Sequence, residues 1–226
     1  MSLPTIAPYR VPAEHELPES TAGWVADPAR SVLLVHDMQR YFVAAYAAES
    51  QPLATVVPNI MRLTAEARAL GIPVVYSAQP GDQRPADRQL LRDLWGPGLR
   101  AVPEEEAIIT ELTPAADDLL LTKWRYSAFQ RTDLRTRIAK WGRDQLLVTG
   151  IYAHMGCLLT ACEAFMQDVQ PFLVADAVAD FSLADHEMAL RYAAARCGVV
   201  LSTTELTRQL ATDTTRDEQW PQPAKH

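Results

Sequence analysis

The sequence predicts a single-domain α/β protein with an open, mostly parallel six-stranded sheet and helices on both faces. Six short segments are rich in β-branched residues and almost continuously apolar, which is typical of buried parallel strands. Helical segments alternate with them, and a repeated strand–helix–strand order produces a parallel sheet. The 226 residues suit one such domain better than two.

The elements follow one another in regular alternation. Strands are predicted at residues 31–37, 72–79, 118–123, 145–153, 171–179 and 199–203, and helices near residues 56–70, 86–95, 131–141, 156–168 and 183–197. Gly71, Gly142 and Gly198 each follow a helix, where a C-cap glycine is common. Residues 1–29 are rich in proline and are expected to form an extended arm on a domain of residues 30–206, and residues 207–226 a polar, partly disordered tail.

The composition argues against several classes of partner. The net charge is −7 and the basic residues are scattered, so neither nucleic acid nor a membrane surface is expected to bind. No signal peptide and no apolar run of membrane-spanning length are recognisable. The three cysteines form neither a CxxC pair nor an even framework, which favours reduced thiols in a cytoplasmic protein.

Polar residues at strand ends are the first candidates for a functional site. In open parallel sheets, ligands bind beyond the carboxyl ends of the strands, which directs attention to Asp37, Gln79, Lys123 and the turn at residues 152–156. Asp37 is either a helix N-cap or a functional carboxylate. A lysine at a strand end is usually just solvated. Their two strands could lie side by side, however, and one pocket could then hold both groups.

The histidines give weaker signals. His36 precedes Asp37 on a strand, so its side chain is expected to face away from that carboxylate and to be structural. His154 could be a ligand or base, but a packed, hydrogen-bonded histidine is the favoured interpretation. No HxH, HExxH or GxGxxG motif occurs, and we expect neither a metal nor a cofactor.

Several motifs together resemble the isochorismatase family of hydrolases, over about residues 5–206. They are LLVHDMQRYF (33–42), YSAQPG (76–81), LLRDLWGPG (90–98), LLTKWRYSAF (120–129), TGIYAHMGC (149–157) and PFLVADAVADFS (171–182). Within the family, the chain is most similar to isochorismatases of aryl siderophore pathways and to the related hydrolase of phenazine pathways. The resemblance implies a Rossmann-like, isochorismatase-like hydrolase fold, a homodimer and no cofactor.

The amidases of that family use an Asp–Lys–Cys triad, with the cysteine in a GxxxxxC turn. Counting from Gly150, the matching position is Gly156, and Cys157 lies one residue later. A helix turns about 100° per residue, so the Cys157 thiol would project in another direction. The nucleophile position is therefore vacant, as it is in the isochorismatase branch, where Asp37 and Lys123 match the remaining catalytic pair.

The same resemblance implies further site residues and one unusual bond. The expected substrate-binding residues are Phe42, Gln79, Arg88, Trp95, Tyr152 and Gly156, and the peptide between Ile151 and Tyr152 is expected to be cis. Without the resemblance, Arg88 would be taken as a surface helix residue and Trp95 as core. Phe42 and Trp95 would raise the pKa of Asp37 and Lys123 would lower it, and the sequence leaves that balance open.

The predicted reaction is hydrolysis of the enolpyruvyl ether of isochorismate or 2-amino-2-deoxyisochorismate. Asp37 would protonate the terminal CH2 carbon and water would capture the resulting cation, giving pyruvate and a dihydro-hydroxybenzoate or dihydro-hydroxyanthranilate. The residues leave the choice of substrate open. Two alternatives also remain, a cysteine amidase using Cys157 and a non-catalytic partner protein that keeps the fold. The likeness ends near residue 206, so no fused carrier domain is expected.

Overall fold

The core of the fold is a six-stranded parallel sheet. A computed structural model describes residues 3–212, and within this range the strand order is β3-β2-β1-β4-β5-β6 with every neighbouring pair parallel. The predicted six-stranded sheet is therefore confirmed. Its strands are β1 (Ser31–His36), β2 (Val74–Ala78), β3 (Leu119–Thr122), β4 (Gln145–Ile151), β5 (Gln170–Ala179) and β6 (Val199–Leu201).

Helices cover both faces of the sheet, as the sequence predicts. On β1, Leu33 and Val35 belong to one hydrophobic core and Val32 and Leu34 to the other, because side chains alternate along a strand. The first core is closed by α2 and α9, and the second by α6, α7 and α8. The helices are α1 (Arg40–Val43), α2 (Leu53–Ala69), α3 (Pro85–Arg88), α4 (Leu91–Trp95), α5 (Pro103–Glu106), α6 (Leu134–Lys140), α7 (Leu158–Met166), α8 (Leu183–Arg196) and α9 (Thr203–Ala211).

One local expectation is wrong, and another is confirmed in part. The single helix predicted near residues 86–95 is divided into α3 and α4, because Gln89 has a φ of 51° in the left-handed region. All three glycines follow helices, as expected, but only Gly71 and Gly142 have left-handed φ values, and Gly198 does not. A Cβ at Gly198 would lie 2.7 Å from the Pro171 carbonyl oxygen, so glycine permits a close backbone approach there.

The segment before the sheet is hydrogen-bonded to later parts of the chain. The Ile6 amide donates to the Ala45 carbonyl oxygen at 2.8 Å, and the Thr21 amide donates to the Ala194 carbonyl oxygen at 2.9 Å. At the other end, α9 includes the first residues of the predicted tail and buries Leu210. The rest of that tail, from residue 213, lies outside the described residues. Between residues 3 and 212, no helix is long and apolar enough to cross a membrane.

Candidate active site

Each of four neighbouring strands is followed directly by a residue that the sequence analysis identified as a site candidate. Lys123, Gln79, Asp37 and Tyr152 directly follow β3, β2, β1 and β4 respectively, at the carboxyl edge of the sheet. The chain order reverses between β1 and β4, so this edge is the topological switch point where ligands bind in such folds. The strands before Asp37 and Lys123 are not neighbours, although the sequence allowed that arrangement, because β2 lies between them.

The long Lys123 side chain spans this gap and meets the Asp37 carboxylate. Its Nζ lies 2.8 Å from Asp37 Oδ2, and both side chains are almost completely buried. The Ser77 hydroxyl, from the intervening strand, donates to Asp37 Oδ1 at 2.6 Å, and Gln79 Nε2 donates to Oδ2 at 3.3 Å. Asp37 is therefore held through Oδ1 by Ser77 of β2, and through Oδ2 by Gln79 and Lys123, the residues after β2 and β3.

These contacts decide the protonation of Asp37. Burial alone would raise the pKa of Asp37, but the charge of Lys123, the charge of His36 and the hydrogen bonds from Lys123 and Ser77 together outweigh it. The pKa of Asp37 is accordingly held below its usual range. Lys123 is fixed in turn, since its Nζ also donates to the Arg125 carbonyl oxygen at 2.6 Å.

His36 does not face away from the site, so that expectation is wrong. Asp37 has a φ of 50°, and the alternation of a regular strand ends before it. The His36 ring lines the cavity with its Nδ1 3.7 Å from Asp37 Oδ1. Burial lowers the pKa of His36 against the raising effect of Asp37.

The turn after β4 has the expected cis peptide between Ile151 and Tyr152, which confirms that prediction. A π-helical turn over Ala153–Cys157 then leads into α7. Gly156 lines the cavity, whereas the Cys157 thiol is buried outside the lining, 3.9 Å from the Thr149 carbonyl oxygen. Burial and the carboxylates of Asp180 and Asp37 raise the pKa of Cys157 well above its usual value, so this thiol is unsuited to a nucleophile.

Six aromatic side chains contribute to the cavity wall. Phe42, Gln79, Trp95, Tyr152 and Gly156 all lie on it, as expected of substrate-binding residues. Their role as contacts stays a prediction. Residues that the sequence reasoning missed also line the cavity, namely Leu3, His36, Tyr41, Leu91, Arg125, Tyr126, Ile151, Met155 and Phe181.

Hydrogen bonds and ring stacking fix several of these side chains. Trp95 Nε1 donates to the Tyr126 hydroxyl at 2.6 Å, and the Tyr152 hydroxyl donates to the Phe42 carbonyl oxygen at 2.9 Å. The rings of Tyr152 and Phe181 lie 4.2 Å apart between centroids. The quoted motifs contain Tyr126 and Phe181, but without the fold their positions gave no sign that they reach the cavity.

Arg88 lies behind the wall rather than on it. It is buried, and its Nε donates to the Gly96 carbonyl oxygen at 2.6 Å. Its Nη1 is buried without a hydrogen-bond partner, and burial lowers the pKa of the guanidinium. Gly98 allows this packing, since a Cβ there would lie 2.6 Å from Arg88 Cζ. An unpaired buried N–H group is costly. A role of Arg88 as a substrate contact stays a prediction, since its side chain is not part of the cavity lining.

His154 is a hydrogen-bonded residue beside the cavity, which agrees with the favoured interpretation. Its backbone N–H and its Nδ1 each lie 2.6 Å from an oxygen of the buried Asp180 carboxylate. That hydrogen bond raises the pKa of His154. Asp185 lies close by, and one possible ligand atom from each of the three side chains falls within 4.8 Å of the others. Asp180 and Asp185 also accept hydrogen bonds within the protein, from Phe181 N–H and from the Ser182 hydroxyl.

Comparison with known proteins agrees with this site. Residues 31–205 match the isochorismatase domain model. The chain is 58% identical over 210 residues to "Isochorismatase" of Bacillus subtilis, covering 93% of this chain and 67% of that protein. It is 48% identical over 209 residues to "Phenazine biosynthesis protein PhzD" of Pseudomonas fluorescens, covering 90% and 98%.

A solved structure supports the same assignment. The crystal structure of a cysteine hydrolase from Pseudomonas syringae pv. phaseolicola superposes with a TM-score of 0.76 at 27% identity, over 85% of this chain and 96% of that one. From the domain match, the two relatives and the shared fold, we conclude that the chain belongs to the isochorismatase family.

Proposed function

We propose that the protein hydrolyses the enolpyruvyl ether of isochorismate or of 2-amino-2-deoxyisochorismate. One observation carries this proposal. A buried Asp37–Lys123 pair stands at the end of an aromatic cavity, while Gly156 occupies the place of the family's nucleophile. An amide generally needs a nucleophile to attack its carbonyl carbon, whereas a vinyl ether needs a well-placed acid.

In the first step, the Asp37 carboxyl group transfers its proton to the terminal CH2 carbon of the substrate. The C=C electron pair forms the new C–H bond, which leaves a methyl group beside an oxocarbenium ion. Once ionised, Asp37 lies next to this cation and stabilises it. Positioned proton transfer typically contributes about 10²–10⁴ to the rate.

Because the pKa of Asp37 is low, the acid form that the first step needs must be favoured by substrate binding. A substrate carboxylate near Lys123 shares the ammonium charge and adds a negative charge close to Asp37. Both effects raise the pKa of Asp37. We therefore propose that the acid form is populated mainly in the substrate complex.

In the second step, water attacks the cationic carbon and gives its proton to the Asp37 carboxylate. The hemiketal then collapses. Its hydroxyl proton is lost, the C=O bond of pyruvate forms, and the bond from that carbon to the ring oxygen breaks. The ring oxygen takes up a proton and leaves as an alcohol, so one water is consumed and Asp37 ends protonated as it began.

The remaining residues bind the substrate and limit the access of water. Phe42, Trp95 and Tyr152 provide apolar surface for the ring and the enolpyruvyl group. Arg125 lines the cavity, and the buried Nη1 of Arg88 has no hydrogen-bond partner among the described residues. Guanidinium groups bind carboxylates bidentately, and the substrate has two carboxylates to anchor.

A coupled assay tests the proposal. Pyruvate release would be followed with lactate dehydrogenase and NADH, with the 2-hydroxy and the 2-amino substrates in parallel. We expect turnover of at least one of them and no release of ammonia from nicotinamide. Turnover of neither substrate by folded protein would refute the proposal and favour a non-catalytic role.

We also propose that the protein is a homodimer. Leu90 and Leu94 from the α4 region, with Leu159 and Met166 from α7, line one concave apolar surface, and they are 78%, 59%, 42% and 72% exposed. Apolar patches of this kind commonly mark protein–protein interfaces. Light scattering should give twice the 25.1 kDa chain mass, and Leu94→Glu should shift it towards the monomer. A monomeric parent would refute the assignment.

A further inference from the structure

One residue that the mechanism does not use stands where the family's nucleophile would stand. A Cβ built at Gly156 would lie 2.1 Å from Cε1 of His36 and 2.8 Å from each of its ring nitrogens. Such distances are far below van der Waals contact. The imidazole ring and any side chain at position 156 therefore require the same volume.

The ring is not free to move aside. Its Nδ1 lies 2.9 Å from the Ile151 carbonyl oxygen, and its Nε2 lies 3.2 Å from the Tyr126 carbonyl oxygen. His36 is only 1% exposed, so the ring is enclosed as well as hydrogen-bonded. Moving it would leave polar groups unpaired in a buried site, which is costly.

The backbone of the same residue depends on a second glycine of the turn. His36 pairs with Gly150 across β1 and β4, and a Cβ at Gly150 would lie 2.2 Å from the His36 carbonyl oxygen. Gly150 has a φ of 103°, a backbone conformation that residues other than glycine rarely adopt. Both glycines that bound the turn thus contact His36, Gly150 its backbone and Gly156 its ring.

We propose that His36 is a specificity-determining residue, whose imidazole fills the space of a side chain at position 156 and so keeps a nucleophilic thiol out of the site. The inference deepens the proposed function, on which it rests for its link to ether hydrolysis. It gives a physical reason why the site works without a covalent intermediate. The sequence has no side chain at position 156, and the His36 ring fills the volume that such a side chain would need.

The consequence for chemistry follows from the distances around the ring. His36 Nδ1 is 3.7 Å from Asp37 Oδ1, so a thiol placed in the ring's volume would lie near that carboxylate and near Lys123. The Asp37 carboxylate could then take the thiol proton, and the sulfur could attack the carbonyl carbon of an activated ester. The S–C bond would form as the alkoxide or phenoxide leaves, giving a thioester. The site gains this reaction only if position 36 is made small.

A double-mutant cycle on stability tests the shared volume. Gly156→Ala adds only the clashing methyl group, and we expect it to lower the thermal midpoint by several degrees or to prevent folding. In the His36→Ala background the same change should cost at most about 1 °C, because the ring is gone. Gly23→Ala is the matched control, since a Cβ there meets nothing within 4 Å, and it should leave the midpoint unchanged in both backgrounds.

A reactivity measurement then tests the exclusion of a thiol. Gly156→Cys alone and His36→Ala/Gly156→Cys would be treated with p-nitrophenyl acetate, and the acetyl adducts located by mass spectrometry. The parent protein shows the background from its three native thiols. We expect the double variant to form the adduct on the introduced thiol at least about tenfold faster than the single variant, a difference that a purely structural role of His36 would not produce.

Each result decides the inference separately from the proposed function. An equal cost of Gly156→Ala with and without the ring, including loss of folded protein in both backgrounds, would overturn it. So would equal thiol acetylation in the single and double cysteine variants. Neither measurement uses isochorismate, so an absence of pyruvate release would contradict the proposed function and leave the His36–Gly156 relationship standing.

Discussion

Lys123 Nζ lies 2.8 Å from Asp37 Oδ2 although β2 separates the strands that carry the two residues. Both groups are buried, and Ser77 from β2 donates to the other oxygen of the carboxylate. Asp37 and Lys123 thus form a buried ion pair that bridges the ends of β1 and β3 across the intervening β2. The interaction between these two charges affects both the stability of the fold and the pKa of the proposed acid, Asp37.

Replacing Lys123 by methionine should destabilise the protein strongly. The change leaves the Asp37 carboxylate buried without its cation, and breaking a buried pair typically costs about 3–5 kcal/mol. Denaturant unfolding at neutral pH measures this. Arg62→Met is a suitable control, because the Arg62–Glu66 pair has side chains 48% and 29% exposed and should contribute at most about 1 kcal/mol. An equally small cost for Lys123→Met would contradict the account.

The pH dependence of that cost has a definite sign. In the parent, the pKa of Asp37 is lowered, so its ionised form stabilises the fold above the unfolded pKa, and this contribution is lost as the pH falls through the folded pKa. In Lys123→Met, burial becomes the dominant influence and raises the pKa of Asp37. The stability gap between the two proteins should therefore narrow as the pH falls from about 8 to about 5. A gap that widens on acidification would show that Asp37 is not the group responsible.

The pH profile of catalysis should reflect the low pKa of Asp37 in the free enzyme. The reactive form needs a protonated Asp37, and kcat/KM reports ionisations of the free enzyme. We expect kcat/KM to fall by about tenfold per pH unit over the whole range above the ordinary aspartate pKa of about 4, while kcat falls only at higher pH because substrate raises the pKa of Asp37. Initial rates over a pH series, with excess coupling enzyme, measure both. A flat kcat/KM across this range would exclude Asp37 as the acid in this form.

Arg88→Lys should weaken substrate binding more than turnover. The guanidinium Nη1 is buried without a partner, and an ammonium cannot bind a carboxylate bidentately. Losing a charged hydrogen bond of about 1.5–3 kcal/mol predicts a rise in KM of roughly tenfold or more, with kcat little changed. Arg92→Lys, at an exposed position on α4, is the matched control. An unchanged KM would assign Arg88 a packing role only.

His154→Gln should reduce stability at acidic pH more than at alkaline pH. The hydrogen bond to Asp180 raises the pKa of His154, so its contribution is fully present below the unfolded pKa and is lost as the pH rises through the folded value. Because the side chain is partly exposed, the effect should be at most about 2–4 °C in thermal midpoint. His15→Gln, at an exposed position in the arm, serves as control. A larger effect at pH 9 than at pH 5.5 would contradict the pairing.

The sheet could be predicted because its strands carry an unambiguous pattern. Segments such as residues 31–37 are apolar on both faces, and the glycines after helices mark where chains turn back. The local backbone was harder to predict. Gln89 adopts a left-handed φ, which is uncommon for glutamine and could not be predicted from the residue type. This residue divides into two a helix that the apolar periodicity predicts to be continuous.

The site was predicted from the polar residues that follow the strands. The wrong expectation for the His36 side chain shows the limit of using strand alternation to predict which way a side chain faces. The period of two holds only while the strand is regular, and Asp37 leaves the extended region with a φ of 50°. Ser77 was missed although a serine in an apolar strand is a signal for a buried hydrogen bond. Tyr126 and Phe181 could not be placed without knowing which loops converge at the sheet edge.

Pyruvate release by Asp37→Asn tests the central claim most directly. The amide cannot supply the carboxyl proton to the CH2 carbon, while its size and its place beside Ser77 and Lys123 are kept. We expect a fall in kcat of about 10²–10⁴, with an unchanged thermal midpoint of unfolding. Release of pyruvate at a rate near that of the parent enzyme would contradict the claim that Asp37 protonates the substrate.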